Sequence, residues 1–156
     1  MNTKNHPGVY IPPPLIYAAF FLLSFLMQKR LPVNDSTLHN AIAKTAGGLL
    51  LLAFVLFSVS AMKRFFISKN TLVPIKPARS LETSGIYSFT RNPMYVSLVC
   101  LYSGLAVFFG NWWTFIFLPV LILVIQWYVI RREELYLQQA FGSRYHEYKA
   151  KVRRWI

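Results

Sequence analysis

"NPMYVSLVCLYSGLAVFFGNWWTFIFLPVLILVIQWYVI" occupies residues 92–130 and contains no Asp, Glu, Lys or Arg. At ~1.5 Å per residue, a helix of that length is nearly twice the ~30 Å hydrocarbon thickness of a bilayer. The stretch therefore predicts two apolar helices folded back on each other. Gly110-Asn111 is the natural turn, and Trp112 and Trp113 just beyond it suit the membrane–water interface. Pro119 lies inside the second helix and predicts a kink there.

Two more apolar spans precede this pair, at about residues 12–27 and 45–62. The first opens on three prolines, which suit a first helical turn but not an interior. Lys4 before it invites a signal-peptide reading, but no small-x-small cleavage site follows and Lys29-Arg30 is a poor exit. The composition agrees: 55% of residues are hydrophobic, 17% aromatic and only 14% charged, more apolar surface than a 156-residue soluble domain can bury. The expected fold is all-α, a single polytopic membrane domain over residues 1–156 with about four transmembrane helices and an amphipathic C-terminal helix. Cys100 stands alone in an apolar run, which leaves no disulfide framework and no Cys-based metal site.

A net charge of +12 raises the question of nucleic acid. The basic residues flank apolar spans, however, and no RNA- or DNA-binding module is recognisable, so anionic lipid headgroups are the expected counter-charge. Thirteen Lys and Arg fall in residues 63–91 and 131–154, against Lys29, Arg30 and Lys44 between the first two spans. This bias predicts both termini and the 63–91 segment on the cytoplasmic side, in a bacterial inner membrane. Histidines 6, 39 and 146 are too dispersed for a metal site and read as surface residues.

In the tail, Ile130, Glu134, Leu137, Phe141, Tyr145, Tyr148, Val152 and Trp155 recur at steps of three and four. That stripe predicts a helix lying on the membrane surface, broken at Gly142. At the other border, Asn92 is a good N-cap and Pro93 fits the first helical position. A helix N-terminus offers unpaired N–H groups to an anion, and Tyr87 and Tyr95 flank it with aromatic faces. Glu133 and Glu134 return to the same level when the last span comes back, in a chain with only five acidic residues. Glu133 is expected to face that border, and Glu134 to pair with a neighbouring Arg.

"GIYSFTRNPMY" (85–95), a hairpin, and then "EELYLQQAFGSRYHEYKAKVRRW" (133–155) resemble the isoprenylcysteine carboxyl methyltransferase and phospholipid methyltransferase superfamily of integral membrane enzymes. The family pattern is Gly-x-Tyr, Arg-His/Asn-Pro-x-Tyr, a hairpin, Glu-Glu and Phe-Gly-x-x-Tyr-x-x-Tyr, and the resemblance covers residues 74–155. It implies an S-adenosylmethionine (SAM)-dependent methyltransferase acting on a lipophilic or thiol-derived acceptor, with no metal and no nucleic-acid partner. Carried over residue by residue, the donor contacts are Arg79, Ser80, Leu81, Glu82, Tyr87, Asn92, Pro93, Met94, Tyr95 and Glu133. Glu133 and Arg91 are the catalytic candidates, and Arg131 and Trp127 the substrate contacts. Two departures stand out: Asn92 replaces the His usual in the isoprenylcysteine enzymes, and Val129 occupies their substrate-binding Arg position. The rival readings are an NADPH-dependent membrane reductase of sterol-reductase type, and a non-catalytic membrane protein that keeps the fold.

Overall fold

The computed structural model describes residues 7–68 and 80–156, and every regular element among them is helical. α1 is Pro13–Arg30 and α2 is Ala41–Ile67. α3 is Pro93–Phe108, and α4 (Trp112–Val124) runs through a π-helical turn at Ile125–Ile130 into α5, Arg131–Phe141. α6 is Ser143–Lys151.

α2 is longer than the 45–62 span expected. Asn40 starts it early, its side chain accepting the Ala43 N–H at 2.8 Å. Lys63-Arg64 does not end it, because Arg64 is held by Glu82 at 2.8 Å rather than solvated. α2 lies on α3 through two glycines. A Cβ on Gly47 would stand 2.9 Å from Val107 Cγ1, and one on Gly104 2.8 Å from Leu51 Cδ2, so glycine at both sites lets the helices approach without displacing those side chains. α4 packs on both α1 and α3.

Ala41–Ile67 and the continuous run Trp112–Phe141 are long and apolar enough to cross a bilayer, and Pro93–Phe108 is a shorter apolar helix. A core helix of a soluble protein would be mostly buried, yet only 11% of the apolar window of α2 is. Leu49, Leu52, Leu56 and Val59 are left outward, as on a lipid-facing helix.

The 110–111 turn forms as expected, with Gly110 at φ 62° and Asn111 capping α4 by accepting the Trp113 N–H at 3.0 Å. The two indoles tie the turn to the first loop: Trp113 donates to the Leu31 carbonyl at 2.8 Å and Trp112 to the Thr37 hydroxyl at 3.3 Å. Beneath them Ser24 and Thr114 hydrogen-bond at 2.8 Å, joining α1 to α4. At the opposite end Arg132 donates to the Gly8 carbonyl at 2.9 Å, and the tail folds back on residues 84–92. The N-terminal segment, the 84–92 segment and the tail thus share one end of the bundle. The first loop and the hairpin share the other.

Pro119 is carried within α4, and the departure from α geometry comes one and a half turns later, at Ile125–Ile130. There the Arg131 N–H reaches the Gln126 carbonyl, five residues back. Packing accounts for its place: Ile125, Val129 and Ile130 are all fully buried, in a cluster with Val9, Tyr17, Tyr95, Tyr102 and Leu121. An extra residue in the turn brings Ile125, Val129 and Ile130 within one inward arc, where an α-helix would set Ile125 and Ile130 about 140° apart.

Candidate active site

The site lies at the end where α3 begins and α5 leaves the membrane. α3 starts as the sequence indicated, with Asn92 at the N-cap position and Pro93 in the first turn. The Asn92 side chain, however, makes no capping bond. Its amide donates to the Arg154 carbonyl at 2.9 Å, and the Thr90 hydroxyl donates to the same oxygen at 3.2 Å. The expected cap is therefore corrected: the side chain turns its amide to the tail carbonyl, and in that orientation its oxygen bonds neither of the helix N–H groups that a cap would take. Met94, the residue after Pro93, keeps an N–H with no partner among the described residues.

One turn on, the Tyr95 hydroxyl donates to Glu133 Oε1 at 2.6 Å. Glu133 has no ion pair among the described residues, although four arginines stand within a few positions of it in space or sequence. Glu134, one residue on, is wholly different. It is 9% exposed at the side chain and gripped from both sides, by Arg91 at 3.2 Å and by Arg154 at 2.7 Å. The Arg154 contact is bidentate, with Nε on the second oxygen at 3.0 Å. That grip holds the Arg154 guanidinium above its ordinary pKa. So the two carboxylates divide as the helix geometry required, Glu134 to structure and Glu133 left over. Arg91 is buried in that structural pair.

The tail seals this end. The stripe from Ile130 to Trp155 is buried or half-buried throughout, and Gly142 at φ 51° makes the break between α5 and α6. The Tyr148 hydroxyl donates to the Tyr87 carbonyl at 2.7 Å. Burial pushes the Tyr87 hydroxyl well up, with Tyr148, Glu133 and Glu82 each adding to it, so Tyr87 lies near both carboxylates. Burial likewise pushes the Tyr145 hydroxyl up to about 12, Glu134 adding while Arg91 and Arg154 pull back. The Arg91 N–H donates to the Arg153 carbonyl at 3.0 Å, and the Trp155 indole to the Gln126 side chain, on the π-turn, at 3.2 Å.

Of the remaining candidates, Arg79 lies outside the described residues. Ser80 and Leu81 are half-buried where the described chain resumes. Glu82 accepts from Arg64 and from the Ser84 hydroxyl at 2.6 Å. Trp127 and Arg131 stack on each other with the guanidinium 4.9 Å from the ring centroid. They stand on the exposed side of the helix, roughly 200° around from Glu133. Val129 is fully buried in the apolar core. Sequence reasoning counted Arg154 only as a topogenic charge and overlooked Thr90. Both matter because the chain end folds back, and no local spacing signals that.

The phospholipid methyltransferase family pattern matches residues 42–144. It begins in α2, which carries no motif of its own, and ends at the start of α6. A protein of Haemophilus influenzae described only as uncharacterized is 41% identical over 63 residues, which is 40% of this chain and that protein's whole length. No solved structure matches the chain. With two long apolar helices and a pattern covering most of its length, the chain belongs to the phospholipid methyltransferase family, within the isoprenylcysteine carboxyl methyltransferase-like membrane methyltransferases.

Proposed function

We propose that the protein transfers a methyl group from SAM to a lipophilic or thiol-derived acceptor in the membrane. The observation that carries this reading is the Glu133 carboxylate, held by Tyr95 at 2.6 Å and left without a counter-ion among the described residues. A carboxylate so placed wants a cationic or hydroxyl-rich ligand, and SAM has both an ammonium and a ribose. The free Met94 N–H at the start of α3 suits the ligand's carboxylate, and the Tyr87 side chain offers an aromatic face. The chain's own residues thus fit the group. In this reading Ser80, Leu81, Glu82, Asn92 and Pro93 complete the wall around it, with Arg79.

Bound there, SAM supplies a methyl group already activated on a sulfonium. The protein's work is alignment and exclusion of water, and it needs no acid–base pair. Tyr95 fixes the Glu133 carboxylate, and Glu134 with its two arginines fixes the tail over the 90–92 segment. Val129, fully buried, offers no charge to an acceptor where related enzymes use an Arg, which favours a lipophilic acceptor over a prenylated cysteine carboxylate. The thirteen-to-three Lys/Arg bias supports placing this end in the cytoplasm, with four spans in a bacterial inner membrane.

The test is transfer itself. Reconstituted protein incubated with methyl-labelled SAM and total membrane lipid should put label into the organic phase, and the Glu133→Gln variant should not. Absence of label with lipid, prenylated-cysteine and thiol acceptors alike would overturn the proposal.

A further inference from the structure

Arg131 and Arg132 follow each other directly after the charge-free run, and each guanidinium lies over the ring four residues before it. Arg132 sits 4.6 Å from the Tyr128 centroid and Arg131 4.9 Å from that of Trp127. Only one of the two is used internally. Arg132 donates to the Gly8 carbonyl at 2.9 Å, and its partner ring's hydroxyl accepts the Ile11 N–H at 3.3 Å, so this pair fastens the N-terminal segment. The Arg131 side chain has no hydrogen bond or ion pair among the described residues, nor has the Trp127 indole N–H. Trp127 is 57% exposed on the outward side of a helix whose neighbouring turns also expose Leu123 and Leu135.

Placement decides what such a pair meets. Residues 92–130 are uncharged, so Arg131 is the first charge as the helix leaves the hydrocarbon, and Trp127 is one turn inside. The local counter-charge at that depth is the lipid phosphate layer. The contact with the indole holds the guanidinium over the ring with its N–H groups unbonded, so part of the ordering cost of a long side chain is met before any ligand arrives. A planar fork suits two phosphate oxygens at once.

We propose that Arg131 and Trp127 form a binding site for the phosphate headgroup of an anionic glycerophospholipid, on the outer face of the α4–α5 helix, away from Glu133. The site takes a lipid from the surrounding bilayer, its acyl chains lying along the exposed side of α4. This does not depend on methyl transfer.

Detergent-purified wild type, Arg131→Gln, Arg131→Lys and Trp127→Leu are titrated with phosphatidylglycerol, with diacylglycerol of the same chains, and with inorganic phosphate. Bound lipid is read by native mass spectrometry. Wild type should bind phosphatidylglycerol well above the other two probes. Arg131→Gln should weaken it by about fivefold, the worth of one basic contact near a charged surface. Arg131→Lys should keep part of the affinity, and Trp127→Leu should lose affinity although the charge remains. Arg131 is exposed, so the variants should melt as wild type does. Equal phosphatidylglycerol affinity in wild type and Arg131→Gln overturns the proposal. So does a wild type that binds diacylglycerol or inorganic phosphate equally well.

Discussion

Replacing Glu133 by Gln removes the one group there that can become anionic and little else: burial pushes its carboxyl up to about 7, and a cationic ligand draws it back to the charged form. The Gln side-chain oxygen can still accept the Tyr95 hydroxyl, which now stands 2.6 Å from Oε1, so the side chain keeps its place. What is lost is the charge on the face turned to the ligand. A hydrogen bond to an ionised group is worth ~1.5–3 kcal/mol and a neutral one ~0.5–1.5. The difference is about 1–1.5 kcal/mol, so Glu133→Gln should weaken SAM binding about five- to twelvefold in calorimetric titration of the purified protein. Its melting temperature should stay close to wild type, since no ion pair is broken among the described residues. Glu134→Gln should behave in the opposite way. It leaves Arg91, buried at 8% side-chain exposure, and Arg154, at 33%, facing a neutral amide. Breaking a buried pair costs ~3–5 kcal/mol, and the half-buried Arg154 puts this case at the lower end. The fold should therefore soften while SAM affinity falls much less. A Glu134 variant that matches wild type in melting and loses donor affinity like Glu133→Gln would refute the assignment of the two carboxylates.

Asn92→Ala should lose the bond to the Arg154 carbonyl and weaken SAM binding by about 1 kcal/mol through a looser tail, while Asn92→His, which keeps a ring N–H donor, should be tolerated in the same titration. Burial alone would raise the Glu82 carboxyl, but hydrogen bonds from Ser84 and Arg64 outweigh it and hold the group below the usual carboxylate range. The stability from this contact is thus full above the ordinary Glu range and lost as pH falls through the depressed value. Acid melting curves of Glu82→Gln should accordingly lack part of the wild-type decline below about pH 4. In a Cys100→Ser background, Asn34→Cys should label from outside intact cells and Arg144→Cys only after permeabilisation. Equal outside labelling would contradict the sidedness.

Much of the fold was legible because its signals are local. Prolines 12–14, the Gly110-Asn111 turn, Pro93 after Asn92 and Gly142 each act within a few residues, and each stands where expected. The tail stripe was legible too, since its period records one continuous buried face. What escaped the sequence depends on distant packing. Asn92 looked like a cap because capping is a local habit, whereas its true partner is a carbonyl 62 residues away. The π-turn at Ile125–Ile130 has no signature of its own. It follows from burying Ile125 and Ile130, five residues apart, on one face, and it is accompanied by the Trp155 contact to Gln126. In the site, Glu133 and Glu134 could be told apart by their angular separation on one helix. Arg154 could not be singled out from four other Lys and Arg residues between 144 and 156, because only its return to Glu134 distinguishes it.

The central claim is that this end of the bundle holds SAM. Calorimetric titration of the detergent-purified wild-type protein, once with SAM and once with NADPH, tests it most directly. Saturable binding of SAM with one molecule per chain, and no heat beyond dilution from NADPH, is the predicted result. Saturable binding of NADPH, or no binding of SAM by protein that melts cooperatively, would contradict it.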